Sequence, residues 1–560
     1  MKTFRFHFFL LCGWLLFSGT LLAGVNLKNG NFYISYTDHS FSKTSGFEIL
    51  RTYNSKSIER GLFGFGWGSE IETRLFAIGD GTIFIKEHGS GANTFFDGAQ
   101  ADEEALTEAI NRLIQAALEK GDLENNPGAI SAYRQKLRNN REERATRWKK
   151  YLQAGLLQAP DFSAGTRWVS TDRGNQRAER TATGYRRTYS DGSYDVFDEQ
   201  GLMAGKYTKD NQPRYIITYN RQQQINTVAD RNGNKFVFRF TRDGKLSQIQ
   251  SSLGISYYTF EGENLVKTVD VAGNTYRHEY DAVHNMTAIR YKDQTAMLIE
   301  YYNTNYFVKR ITERDGGWKE YIYVSFYTEE GQVNDDRYAT YVVAPNRYTG
   351  GSDSNYYEYE IRTKMDGSRY TYRILQRVGY TEKETVYSEN CNNPLRIRNQ
   401  DRSGTRTSTY AYNSFCLLTY KENNTSITRV TYDSLLRKIV RSEYTDKATS
   451  RLTVYSYRYN TNGDLVRADE DGKWVELSYD ENNKISRMVY EDGVLEFEYN
   501  SMGKPILIRS EGKGSVRVTY KSNGEIDKTE SDEGSSVAIS ITSAMQTLLA
   551  RTRPRGLTFD

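Results

Sequence analysis

Histidine, cysteine and proline are scarce in this chain: five, three and seven of 560 residues. No Cys-x-x-Cys pair, no phosphate-cradling glycine loop ahead of a helix and no G-x-S-x-G elbow occurs. His278 and His284 are close in sequence but lack the helical H-E-x-x-H spacing. They read as a partly exposed strand histidine and a turn histidine. Charge of one sign is also missing. The formal charge of +4 loses two units if Lys2 and Arg5 are removed, so no general nucleic-acid footprint exists. Past the first 23 residues no apolar run is long enough to span a bilayer. These absences predict a non-enzymatic protein with no catalytic residue, cofactor, metal site, nucleic-acid partner or later transmembrane segment. Glycan hydrolysis stays open only because any two of 71 acidic residues can meet in a fold. Nothing in the sequence singles out a pair.

The N-terminus reads as an export signal over residues 1–23. Lys2 and Arg5 form a basic segment, Phe8 to Leu22 an apolar one, and Leu21-Leu22-Ala23 precedes Gly24 as a cleavage site. An uncleaved anchor is the alternative. The residue after Gly24 is Val25 and not cysteine, which excludes a lipid anchor there. Export predicts a periplasmic, surface or secreted location. With Cys12 removed, Cys391 and Cys416 remain, either as one disulfide or as two buried thiols.

Aromatic residues are abundant, at 13% with 44 tyrosines, and they recur. An aromatic residue is followed by Asp or Asn, two variable residues, Gly, and soon Leu or Ile. Phe197-Asp198 to Gly201-Leu202, Tyr459-Asn460 to Gly463-Asp464-Leu465, and Tyr499-Asn500 to Gly503 through Ile506 are the clearest copies. Looser copies begin at Tyr219, Phe240, Phe260, Tyr280, Tyr412, Tyr432, Tyr479 and Tyr520, with neighbours spaced by about 20 residues, the mark of a repeat architecture. Asp or Asn suits the first position of a type I turn, and the glycine supplies the positive φ of a G1 bulge. The same spacing falls at half-periods in Asp230–Gly233, Asp270–Gly273 and Asp469–Gly472. Between turns the pattern alternates: Phe236, Phe238 and Phe240 share one face, as do Val516, Val518 and Tyr520. The chain is therefore expected to be mainly β, with antiparallel hairpins coiled into a spiral or partial shell over their apolar side.

The expected organisation is a β domain over 24–100, a helical hairpin over 101–160, hairpin repeats over 161–535 and a tail over 536–560. The first helix carries Leu106, Ile110, Leu113, Ile114, Ala117 and Leu118 and stops at Gly121. The second starts at Asn126-Pro127 and carries Ile130, Tyr133, Leu137, Ala145, Trp148 and Leu152 to Gly155. Its basic face, Arg134 to Lys150, reads as a contact for anionic headgroups or as a solvated face balanced by Glu142 and Glu143. The period blurs over about 325–405. There a Tyr-, Gly-, Ser- and Asn-rich stretch with Arg347, Tyr348, Tyr356 and Tyr357 reads as a binding loop or a plain surface loop. The tail reads as a short cap or a disordered end.

The repeats resemble the YD (Rhs) repeats of bacterial Rhs and wall-associated proteins, toxin-complex C-type subunits and teneurins. Arg51-Thr52-Tyr53-Asn54-Ser55, followed by Gly61 to Gly64-Phe65-Gly66-Trp67, looks like the signature of the domain that precedes such repeats. Val25 to Phe32 resembles its opening stretch. The resemblance implies a β-shell, which in the family can enclose a toxin domain cleaved from the C-terminus. The family's P-x-x-x-x-D-P-x-G-L terminator is absent, with only a faint echo in Arg553-Pro554-Arg555-Gly556-Leu557. That departure favours a cup, an open spiral or a small filled barrel over a toxin container. The expected role is a surface or envelope protein that binds carbohydrate or cell-surface components. A delivery shell working with a separate effector protein is the alternative.

Overall fold

In the computed structural model, the residues described are 22–41, 47–98, 101–170, 172, 175–346, 349–365, 367–481, 483–500, 504–520, 526–532 and 535–558. The protein is mainly β, with 53% of residues in strands and 12% in helices. Among the described residues its longest sheet is antiparallel, with 36 strands. Two compact units are formed. The first comprises 1–72, 88–91 and 238–315, and the second 73–87, 92–237 and 316–560. The predicted signal segment, Arg347, Tyr348 and Gly503 lie outside the described residues, apart from the start of strand Leu22–Asn26.

The tyrosine period has a physical cause. Tyr219, Tyr280, Tyr301, Tyr412, Tyr432, Tyr459, Tyr479, Tyr499 and Tyr520 each end a strand. Their hydroxyls donate, at 2.6–3.0 Å, to the carbonyls of Met203, Leu265, Met286, Pro394, Leu418, Ile439, Leu465, Ile485 and Pro505 respectively. Each acceptor lies at or next to the start of an earlier strand. A register shift immediately precedes each of these tyrosines. The bulge turns the ring along the sheet, and the latch satisfies a carbonyl at the strand's entrance. Tyr301, absent from the copies read in the sequence, sits where the period from Tyr280 places it. Phe260 takes the same post-bulge position without a hydroxyl. Tyr459→Phe or Tyr479→Phe should therefore keep the fold and lower stability by about 1 kcal/mol each. Urea midpoints test this, and unchanged midpoints in both variants would refute the latch.

The turns follow the predicted chemistry in most places. The Oδ1 atoms of Asp198, Asp230 and Asp270 accept the amides two and four residues on, at 2.8–3.0 Å. Asn460 and Asn500 accept the amide four residues on. Gly201, Gly233, Gly273 and Gly463 have φ between 76° and 82°. Asp469 is different. It lies inside strand Leu465–Glu470, and Glu470 pairs with Lys473. The turn is the two-residue Asp471-Gly472, with φ of 50° and 87°, the geometry of a tight I′ hairpin. Asp469 helps this corner only by accepting the Gly472 amide.

The helical insertion holds three helices where two were expected: α1 (Glu103–Lys120), α2 (Pro127–Asn139) and α3 (Arg141–Gln153). The break is at Asn140, whose extended backbone ends α2 and whose side chain caps the Glu143 amide of α3. Apolar spacing continues across such a break, which is why one helix was expected. Ile110, Leu113, Ala117, Leu137, Ala145 and Trp148 pack against Phe76, Ile78, Phe84 and Phe95 of the same unit. The basic face is largely neutralised internally. Arg144 is buried and pairs with Asp80 at 3.0 Å, and Arg141 pairs with Asp97 at 2.6 Å while covering the Phe95 ring. Lys136 and Arg147 share Glu143, and Lys150 meets Asp122.

The blurred period corresponds to long strands. Trp318–Tyr327, Val333–Pro345, Ser352–Thr363 and Arg369–Val378 have 10, 13, 12 and 10 residues. Of the two readings of the tail, the disordered end does not hold: α4 (Ser535–Thr552) packs on the sheet. Its Ile541, Ala544, Met545 and Leu548 supply the apolar stripe that such packing needs.

Candidate functional site

Two places gather the residues singled out in the sequence. One is the core of the first unit. Strands Asn31–Ser40 and Glu48–Asn54 pair so that Tyr36 faces Arg51, and Tyr53 faces Trp67 of strand Trp67–Ser69. A register shift between Thr37 and His39 makes Asp38 the extra residue of a bulge and aims its carboxylate at Arg51. Arg51 is wholly buried. Its Nε donates to both Asp38 oxygens at 3.1 and 2.9 Å, and its Nη2 to Thr268 Oγ1 at 3.0 Å. The guanidinium carbon stands 4.5 Å from the ring centres of both Tyr36 and Trp67. Tyr258 donates to Asp38 Oδ2 at 2.7 Å.

Around this pair several polar side chains hold backbone or one another. Trp67 Nε1 donates to the Tyr280 hydroxyl, which donates to the Leu265 carbonyl. His278 Nδ1–H donates to the same carbonyl at 3.0 Å. Tyr53 Oη donates to the His284 carbonyl and accepts the Met286 amide, pinning the Asp281 turn. Asn54 caps the Lys56 amide. Gly64 and Gly66 have φ of 92° and 77°, and a Cβ would lie 2.6 Å from the Glu263 carbonyl and 2.8 Å from the Tyr53 ring. The Arg51–Trp67 signature is thus a packing device. His278, expected to be partly exposed, is buried because its strand faces Trp67. Burial, and then the Arg51 charge, push its imidazole down to about 3, so it stays neutral. Among the described residues no group of three His, Cys, Asp or Glu side chains is placed to hold a metal ion. Asp38, Tyr258 and Thr268 had no sequence signal; a strand bulge brings Asp38 to Arg51 from 13 residues away, and packing brings Tyr258 and Thr268 from more than 200.

The second place is the long-strand face of the second unit. Tyr356 and Tyr357, read as loop residues, lie in strand Ser352–Thr363 and point to opposite sides of the sheet. Cross-strand register puts Ile322, Tyr341, Tyr356, Arg377 and Glu382 in one row. Ile322 and Tyr341 are 43% and 39% exposed, and the Tyr341 and Tyr356 ring centres are 4.9 Å apart. Arg377 stands over Tyr356 at 5.4 Å and pairs with Glu382 at 2.9 Å. In the next row, buried Glu358 accepts from Tyr356 Oη at 2.8 Å and from Arg337 and Arg373 at 3.0 and 3.3 Å. Against the pull of burial, that hydroxyl and those guanidinium groups hold its carboxyl below the usual range. It stays ionised and is no general acid. Arg373, Glu384 and Arg396 extend the alternation. Nearby, Cys391 and Cys416 are joined by a disulfide between neighbouring hairpin corners, with Cα atoms 5.3 Å apart.

Fold and sites together define a class: a hairpin-repeat β protein in which tyrosines latch strand to strand. Residues 23–93, which include the Arg51–Trp67 signature, match a domain of unknown function, DUF6531. No curated protein matches the chain. Among solved structures it is similar to a TcdB2–TccC3–TEV structure, at 10% identity and TM-score 0.41, over 91% of this chain and 28% of that one. It is also similar to a Tc holotoxin pore from Photorhabdus luminescens, at 10% identity and TM-score 0.40, over 90% of this chain and 26% of that one. The chain thus spans under a third of those proteins. Among the described residues no helix is long and apolar enough to cross a membrane.

Proposed function

We propose that this is an exported, non-enzymatic β-scaffold that binds carbohydrate of the cell envelope through its long-strand face. The observation that carries this reading is the row Ile322–Tyr341–Tyr356, exposed at Ile322 and Tyr341 and backed by Arg377 and Glu382. Sugar rings present C–H faces that suit flat aromatic and aliphatic surface, and edge hydroxyls that suit paired guanidinium and carboxylate groups. The remaining tyrosines and carboxylates described above are committed to latches, corners and ion pairs, which supports binding over catalysis. Titration with soluble envelope polysaccharides, guided by a glycan array, tests the reading. Tyr341→Ala is expected to weaken binding about tenfold, a loss of about 1.4 kcal/mol, with an unfolding midpoint close to that of the parent. Absence of binding above that of a β-rich control protein would overturn it.

A second reading, a carrier for a separately encoded effector, draws on the apolar side of the sheet accepting a helix. A toxin–immunity gene pair beside this gene would support it; its absence, with an unprocessed intact mass, would remove it.

A further inference from the structure

We propose that the strands around Lys421, Tyr457 and Val475 form a peptide-binding groove. Its ligand is an amphipathic helix with an Arg in its last turn and a Gly five residues further on, and the chain's own residues 541–558 fill it. The inference is independent of the carbohydrate reading and lies within the second unit.

Helix α4 inserts Ile541, Ala544, Met545 and Leu548 among Tyr455, Tyr457, Val475, Leu477 and Leu495. That is the i, i+3, i+4, i+7 spacing of a helix laid in a groove. Ala544 is fully buried. At the helix end and beyond it, the sheet reads main chain. Tyr457 Oη donates to the Arg551 carbonyl at 2.8 Å, and Lys421 Nζ donates to the Thr558 carbonyl at 2.5 Å. Lys421 lies mid-strand and is buried. Two side chains are also read. The buried Arg551 donates through Nη1 to the Trp474 carbonyl at 3.0 Å and faces Glu491 at 3.5 Å. Gly556, with φ of 80°, passes so close that a Cβ would lie 2.2 Å from Thr428 Oγ1 and 3.1 Å from the Tyr444 ring.

Donors aimed at ligand carbonyls give affinity, and tight pockets for chosen positions give selectivity; both belong to peptide recognition. A plain hydrophobic cap needs neither. The tail beyond Thr552 turns at Arg555-Gly556, and Lys421, Thr428 and Tyr444 are arranged around it.

The test uses the full chain carrying a protease site between Asp532 and Ser535. After cleavage, the 535–560 fragment is expected to co-elute with the body and to be exchanged by an excess of labelled 535–558 peptide. Peptides with Gly556→Val or Arg551→Ala should compete at least tenfold more weakly. A fragment that cannot be exchanged, one that leaves without rebinding, or a Gly556→Val peptide that competes equally would each overturn the proposal. Should the cleaved protein unfold, hydrogen exchange on the uncut Gly556→Val chain decides. Loss of protection confined to 541–558 supports a groove with a detachable ligand. Equal loss in strand Lys473–Tyr479 makes the segment a permanent core element and refutes it.

Discussion

Arg51→Met is expected to destabilise the first unit by about 3–5 kcal/mol, because it strands the buried Asp38 carboxylate. Tyr258 would still donate to Asp38, but one hydroxyl cannot replace the charged Nε–H shared between both its oxygens. Thr268 Oγ1 would lose its donor, and Tyr36 and Trp67 the cation between them. The double variant Arg51→Met/Asp38→Leu removes both charges and should recover most of the loss, since apolar side chains replace such pairs at little cost. Denaturant unfolding of the two singles and the double completes the cycle. If the double variant is as unstable as the single, the pair's charge is not what matters, and the packing account given for this signature fails.

Alkaline pH should unfold the protein steeply. Burial pushes Tyr432, Tyr459 and Tyr479 up to about 12, and Tyr280, Tyr301 and Tyr412 higher still. An unfolded tyrosine ionises near pH ~10. The folded state therefore favours the neutral phenol. Its contribution is complete below about pH 10 and is lost as pH rises toward about 12. Because the same hydroxyls latch successive strands, ionisation and loss of the sheet should coincide. Tyrosinate absorbance and the far-ultraviolet β signal, followed together, are expected to change in one sharp step. Gradual ionisation with an intact β signal would show that the latches are dispensable.

The repeat was legible because its causes are local. An Asp at position 198, 230 or 270 caps its own corner within four residues, so sequence spacing is enough to find it. Asp469 looked the same and is not, since the strand pairing of Glu470 with Lys473 overrides the local pattern. The break at Asn140 was hidden for a related reason: hydrophobic spacing records which face is buried, while an asparagine cap interrupts the backbone without disturbing that face. Tyr356 was read as a loop residue because glycine, serine and asparagine surround it. In a wide sheet the cross-strand partners Tyr341 and Arg377 hold it in a strand.

By itself the sequence determined the strand rhythm, most of the corner chemistry and the positions of all the latching tyrosines but Tyr301, because each depends on residues about 20 positions apart or fewer. Tertiary structure alone decided that Arg51 meets Asp38 and Thr268 in a dry core, that Tyr341 and Tyr356 share a row with Ile322, and that the C-terminal helix lies on the sheet. Hydrogen-bonded corners are set by short chain segments. Burial, charge pairing and exposure are set by which distant strands become neighbours, and no local pattern encodes that choice.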